Sequence, residues 1–287
     1  MRGTVLLFVC GAALGAETAE LANPDLDELS GLAVSRADAT LLWGHNDTGG
    51  GPRLFRIGLN GEDLGSVRIA GVEANDWEDL AAFEDGGGPA LLVADTGDNF
   101  QLRSWPVLYA LRDPGRRGRP ELLWRLAFRF PDGAHDVEAV AVDPRERAIL
   151  LVTKRDAPPR LYRLPLPESP PATRVTAEFL GEVAGLPPRP TLRQRLAEPF
   201  AWLLHSPVAL DVSRDGLAAV LVTGHHAYVY RREAGTSWAQ AMARAPLAIP
   251  LPPLKQIEAA ALSADGRELF VGSEGRPGRL ARIALPQ

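Results

Sequence analysis

Three glutamates stand in matching surroundings: Trp77-Glu78-Asp79-Leu80, Val137-Glu138-Ala139-Val140 and Ile257-Glu258-Ala259-Ala260. If a repeating fold brings such positions to one axis, their carboxylates meet. Two ionised carboxylates about 4 Å apart repel by roughly 4 kcal/mol at an effective dielectric near 20. Something must offset that repulsion: a bound cation, the nearby Lys154, or protons shared among upshifted carboxyls. Hard oxygen donors, with the only cysteine at position 10, favour Ca2+, or Mg2+, over zinc. The expected metal ligands are Asn46, Glu78, Asp95, Glu138 and Glu258. His135 or Asp136 is the expected proton acceptor, since an imidazole near neutrality is matched to proton transfer. Lys154 is placed to steady a developing anion. His45, Asp76, Asp98, Asn99, Gln256 and Glu274 belong to the same clusters and are read as ligand-binding residues.

Each of these residues also has an ordinary explanation. Short acidic side chains such as Asp76, Asp79 and Asp136 commonly bond backbone N–H groups in turns. The stretch DTGDN at 95–99 departs from the spacing of an EF-hand loop. His225 and His226 are adjacent, so a strand turns only one of them towards a channel. Arg116, Arg117 and Arg119 read as a solvated loop. Trp77, Trp124 and Tyr109 read as packing residues.

The elements that must position the chemistry recur with a period of roughly 50 residues. Five short apolar strands are legible as ELSGLAV (28–34), WEDLAAF (77–83), VEAVAVD (137–143), VALDVS (208–213) and IEAAALS (257–263). Each is followed by a second strand ending in polar residues, then a third and a fourth; Asp215-Gly216 and Asp265-Gly266 supply hairpin turns. The fifth unit ends after three strands, and ETAELA near residue 17 is the natural fourth. The fold expected is therefore an all-β propeller of five four-stranded blades closed by an N-terminal strand. Six blades is the alternative. Residues 185–205, the stretch not assigned to a blade, read as loop plus amphipathic helix, with Leu192, Leu196, Phe200 and Leu203 on one face. In such a blade the inner strand starts, and the second strand ends, at the same mouth of the channel. Nearly all the residues named above fall at that mouth, and the insert lies over it as a lid or as a plain packing helix.

Residues 1–16 have a charged start, a short apolar run and a small-residue site, the pattern of a signal peptide, leaving residues 17–287 as one propeller domain. A periplasmic or extracellular location follows, with no disulfide after cleavage. The net charge is −5 and the basic residues form no stripe, which argues against nucleic acid. No run is long enough to span a bilayer. The expected partner of this monomer is a small-molecule ligand or an envelope component.

As an ordered set, HNDTG (45–49), DWED (76–79), DTGDN (95–99), HDVEA (135–139), TK (153–154) and SEG (273–275) resemble a group of uncharacterised bacterial secreted β-propeller proteins. More distantly they are similar to phytase-like esterase and SdiA-regulated propellers. The resemblance spans nearly all of the chain after the leader. The fourth unit departs from it, with Val208 where threonine is usual and Val222-Thr223-Gly224 in place of an Arg-Thr-Tyr-like segment. The resembled group carries no activity over to this chain; placement of the polar residues leads to an exported, metal-dependent hydrolase of a small ester, lactone or phosphoester. The alternative is a non-catalytic envelope binding or scaffold propeller with a structural cation.

Overall fold

The structure is a computed structural model that describes residues 16–48, 50–188, 191–197 and 203–286. It contains five antiparallel sheets, one for each unit of the repeat. The inner strands are Leu29–Val34, Trp77–Asp85, Val137–Asp143, Ala209–Val212 and Ile257–Leu262. Each neighbours the next, and the last returns to the first, so the five sheets close into a propeller. The six-bladed alternative is set aside. Closure follows the expected route: Glu17–Glu20 pairs antiparallel with the third strand of the last blade, Glu17 opposite Arg282 and Glu20 opposite Arg279. This pairing completes the fifth sheet with a strand from the other end of the chain, the propeller's way of leaving only short, protected edges.

Blade faces meet in five apolar cores, one for each junction between neighbouring blades. Inner strands are buried on both faces, which is why they read as continuous apolar runs rather than alternating ones. Trp77, Tyr109 and Trp124 are buried in these junctions as packing residues. Hydrogen bonds add to the packing. Asp79, fully buried, accepts from its own blade at Leu80 N (2.8 Å), from the third at Val140 N (2.7 Å) and from the fourth at Leu210 N (3.1 Å). Loop capping is thus too modest a description of Asp79, which ties three inner strands together. The two Asp-Gly turns adopt one design, with Gly216 at φ 65° and Gly266 at φ 69° and a Ser-to-Asp hydrogen bond in each.

Two elements were not anticipated. A helix at Trp238–Met242 sits between the third and fourth strands of blade four, with a Ser237/Gln240 capping box. Its Trp238 Nε1 donates to Asp143 at 3.0 Å. A two-residue strand, Val175–Thr176, adds in parallel to the outer strand of blade two. In the insert, the described parts are a short helix at Leu192–Ala197 and a 3-10 turn at Leu203–His205. Leu196 is exposed; Phe200 and Trp202 lie outside the described residues, as does the leader except for Ala16. Among the described residues no helix is long and apolar enough to cross a membrane.

Candidate functional site

The mouth is built by one backbone device repeated in four blades. Where the inner strand pairs with the second, the register slips by one residue: between Leu29 and Gly31, Trp77 and Asp79, Val137 and Ala139, and Ile257 and Ala259. The residue at each slip is Ser30, Glu78, Glu138 or Glu258. A β-bulge re-aims the side chain of its extra residue, and here it does so at the start of each inner strand. Each slip is accompanied by the same hydrogen bond from beyond the second strand: Asp47 N to Glu28 O (2.9 Å), Gly97 N to Asp76 O (3.3 Å), Lys154 N to Asp136 O (2.9 Å) and Glu274 N to Gln256 O (3.0 Å). Bulge residues are therefore matched with partners in the same blade: Ser30 with Asp47, Glu78 with Gly97, Glu138 with Lys154, Glu258 with Glu274. Blade four lacks the slip in its paired residues. Ala209 faces Val222 as Ala139 faces Val152, which puts the buried Val208 in the glutamate position.

These matched positions carry an uneven charge. Carboxylate oxygens of Asp47, Asp76 and Glu78 lie within 4.8 Å of one another, and so do those of Glu78, Asp136 and Glu138, the two groups sharing Glu78. The second group is supplied with cations by the chain itself, since Lys154 Nζ pairs with Glu138 and Arg155 Nε with Asp136. Among the described residues, no basic side chain forms an ion pair with Asp47, Asp76 or Glu78. Gly97 is the reason in the second blade: one residue further along than Lys154 in the pairing, it makes the hydrogen bond that Lys154 makes in the third blade but brings no side chain. A Cβ added there would lie 2.1 Å from Glu78 Oε1 and 2.4 Å from Asp76 Oδ2. The two carboxylates can approach the backbone this closely because the residue is glycine.

Burial makes the accumulated charge costly, and it shifts the carboxyls upward. Burial and then the Glu138 and Asp47 carboxylates raise Glu78 well above the usual carboxylate range. Burial and then Asp76 push Asp47 up to about 7; burial also raises Asp76. Glu274 is pushed up to about 7 by burial and by the charges of Glu258 and Glu28. The Glu138–Lys154 pair pulls two ways. Burial drives Glu138 up to about 8 despite Lys154, while Lys154 is raised, its neighbours Glu138, Glu258 and Glu78 outweighing the cost of burial. A charged Lys154 is the physically sound state, because one ammonium sits among three carboxyls. Glu138, its direct partner, is the best compensated of them, while burial raises Glu78 and Glu258 as well.

The remaining predicted residues have other engagements. His45 is fully buried against the edge of Trp77 (5.3 Å between ring centres), and burial lowers its pKa to about 4. The Asn46 amide holds the preceding loop, donating to Asp25 O at 2.8 Å and accepting from Glu28 N at 3.3 Å. Asp95 accepts from Asn75 and Asp76 and pairs with Arg103 at 2.6 Å. Asp98 caps its own loop through Leu102 N and Arg103 N, and the exposed Asn99 meets Arg155. His135 is held between Asp156 (Nδ1, 2.9 Å) and Asp132 (Nε2, 3.2 Å); burial opposes its protonation, but the two carboxylates prevail and raise its pKa. Gln256 donates to Glu274 at 2.8 Å. The structure thus groups Asp76, Glu78, Asp136, Glu138, Lys154, Glu258 and Glu274, and commits His45, Asn46, Asp95, Asp98 and His135 to local bonds. Asp47 and Gly97 were the omissions. Asp47 was visible as the end of a second strand, whereas nothing local in DTGDN marks Gly97.

Neither a protein-family model nor a curated protein matches the chain by sequence. Solved structures match its fold. The PQQ-bound aldose sugar dehydrogenase of Streptomyces coelicolor aligns at 11% identity and a TM-score of 0.50, over 96% of this chain and 100% of that one. The β-propeller domain of Cps50 (Swd1) from Myceliophteria thermophila aligns at 15% identity and 0.45, over 91% and 68%. A nidogen/laminin complex structure aligns at 13% and 0.46, over 86% and 72%. At 11% identity the likeness to the sugar dehydrogenase concerns the fold alone.

Proposed function

We propose that the mouth holds a hard divalent cation, calcium first and magnesium second, between Asp47, Asp76 and Glu78, and that the protein uses it to hydrolyse a small ester, lactone or phosphoester outside the cytoplasm. The observation that carries the reading is the cluster at Gly97: three converging carboxylates, two of them drawn close against a backbone that carries no side chain, with no ion pair to a described basic residue. Oxygen-only donors suit Ca2+. When bound, such a cation polarises a carbonyl or phosphoryl oxygen and acidifies a water. Glu274, at about 7 and close enough for its charge to be felt at Asp47, is suited to accept the proton. Lys154, charged and adjacent through Glu138 and Glu78, favours an anion developing at the mouth.

A second reading is a binding or scaffold propeller in which the cation is structural. It is supported by the engagement of both ring nitrogens of His135 and by the pairing of Lys154 with Glu138, which leave fewer free groups for chemistry. Calorimetric titration with calcium, beside elemental analysis, tests the shared premise: one ion per chain is expected, lost in Glu78→Gln. Absence of binding at millimolar calcium would refute both. A screen of ester, lactone and phosphoester substrates then separates them, since only the first reading expects calcium-dependent turnover that Glu274→Gln removes.

A further inference from the structure

Beside the acid cluster lies a cavity of about 310 Å3 between blades three and four. Its walls are Val183, Leu186 and five prolines, among them Pro159, Pro188 and Pro207. Proline has no N–H and a fixed φ, so this wall is rigid and offers few backbone donors. Lys154 lines the cavity as well, and it is the residue that joins the cavity to Glu138 and so to Glu78. The other charged residue of the lining, Asp156, is paired with His135 at 2.9 Å.

The position of the cavity follows from the asymmetry of the mouth. Blades two, three and five present a glutamate at the bulge position, blade one presents the polar Ser30, and blade four alone presents an apolar residue, Val208. The segment just before it, His205-Ser206-Pro207, lines the cavity where blade three has His135-Asp136-Val137. The ring of acid is therefore interrupted on the side where the apolar space opens.

We infer that this cavity takes the uncharged, apolar body of a small molecule whose anionic or strongly polar oxygen head faces Lys154 and the acid cluster. The volume falls within the ordinary range for small-molecule sites, which pair a mostly apolar lining with a few convergent polar groups. The inference deepens the proposed function, whose substrate class it narrows to esters or phosphoesters with a compact aryl or branched alkyl group, and it rests on that reading for the head alone.

The test compares benzylphosphonate with methylphosphonate by calorimetry, with and without calcium. The two share a head and differ in the body, so their affinity ratio reports the cavity, and the effect of calcium reports the cation. Benzylphosphonate is expected to bind at least about tenfold more tightly in either condition, because its ring leaves water. In Pro188→Trp, where an exposed lining residue is replaced by one that fills the space, that preference should vanish while calcium binding stays unchanged. Leu186→Trp provides a second filling from the opposite sequence neighbour. If calcium fails to bind but the preference persists, the cation reading falls and the cavity stands. Equal affinities, no detectable binding of either phosphonate, or a preference that survives both filling substitutions overturns the inference.

Discussion

Raising the pH of the calcium-free protein from 5 to 8 is expected to destabilise it, and the mouth supplies the reason. Asp47 and Glu274 titrate near 7 in the folded chain, whereas free carboxyls titrate near about 4. Between those values the folded state keeps protons that the unfolded state has released. The sign follows from linkage: stability is full below the unfolded values, falls as pH rises, and levels once pH passes the folded values. From pH 5 to 7 each group spans about two units at about 1.4 kcal/mol per unit, or ~5 kcal/mol for both. Both side chains are only half-buried, and solvent screening reduces this to on the order of 2 kcal/mol. For a chain of this size that is a fall in Tm of about 4–8 °C. Thermal melts followed by circular dichroism at pH 5, 6, 7 and 8 provide the measurement. His135, raised by Asp156 and Asp132, also loses stability as pH rises through its folded value. The double variant Asp47→Asn/Glu274→Gln removes these two contributions, and its slope should become shallower; Asp76, Glu78, Glu138 and Glu258, all raised by burial, supply what remains together with His135. Adding 1 mM calcium should raise Tm strongly at pH 8 and little at pH 5, where Asp47 holds a proton in place of the ion. A Tm that stays level or rises from pH 5 to 8 without calcium, or a slope unchanged in the double variant, refutes the reasoning.

Gly97→Ala should weaken calcium binding by at least about tenfold, since its Cβ would stand 2.1 Å from Glu78 Oε1; the melting temperature should barely move, because the atoms displaced are the ends of flexible side chains. Gly31→Ala should do the reverse. There the Cβ would meet buried His45 Nε2 at 2.1 Å, so stability should fall by about 1–3 kcal/mol in denaturant titration with calcium affinity kept. His135→Asn removes the partner of Asp132 and Asp156 and should cost about 2–3 kcal/mol. It should leave calcium affinity intact, and any hydrolysis with it; a selective loss of turnover in a folded variant would return His135 to a catalytic role.

The blade count, the closure by the N-terminal strand and the approach of Glu78 to Glu138 were all legible in the chain. Each depends on a repeat, and a repeat is a property of sequence: equal units wound about one axis place equal positions together. The helix at Trp238–Met242 escaped because its five residues are too few for a helical period to emerge. The site was legible only in outline. Asn46, Asp95 and His135 have the residue types of ligands or bases, but whether a side chain is free depends on which backbone N–H or carboxylate the fold puts beside it. Asp95 meets Asn75, Asp76 and Arg103, and His135 meets Asp132 and Asp156, through loops whose paths no local pattern dictates. Gly97 and Lys154 are the sharper instance: each donates its N–H to the carbonyl two residues before its blade's glutamate, and only Lys154 brings that glutamate a directly paired cation. The chain states both residues openly. Only the bulged pairing of inner and second strands, a tertiary register rather than a composition, sets them opposite the two glutamates and so decides where an added cation would fit.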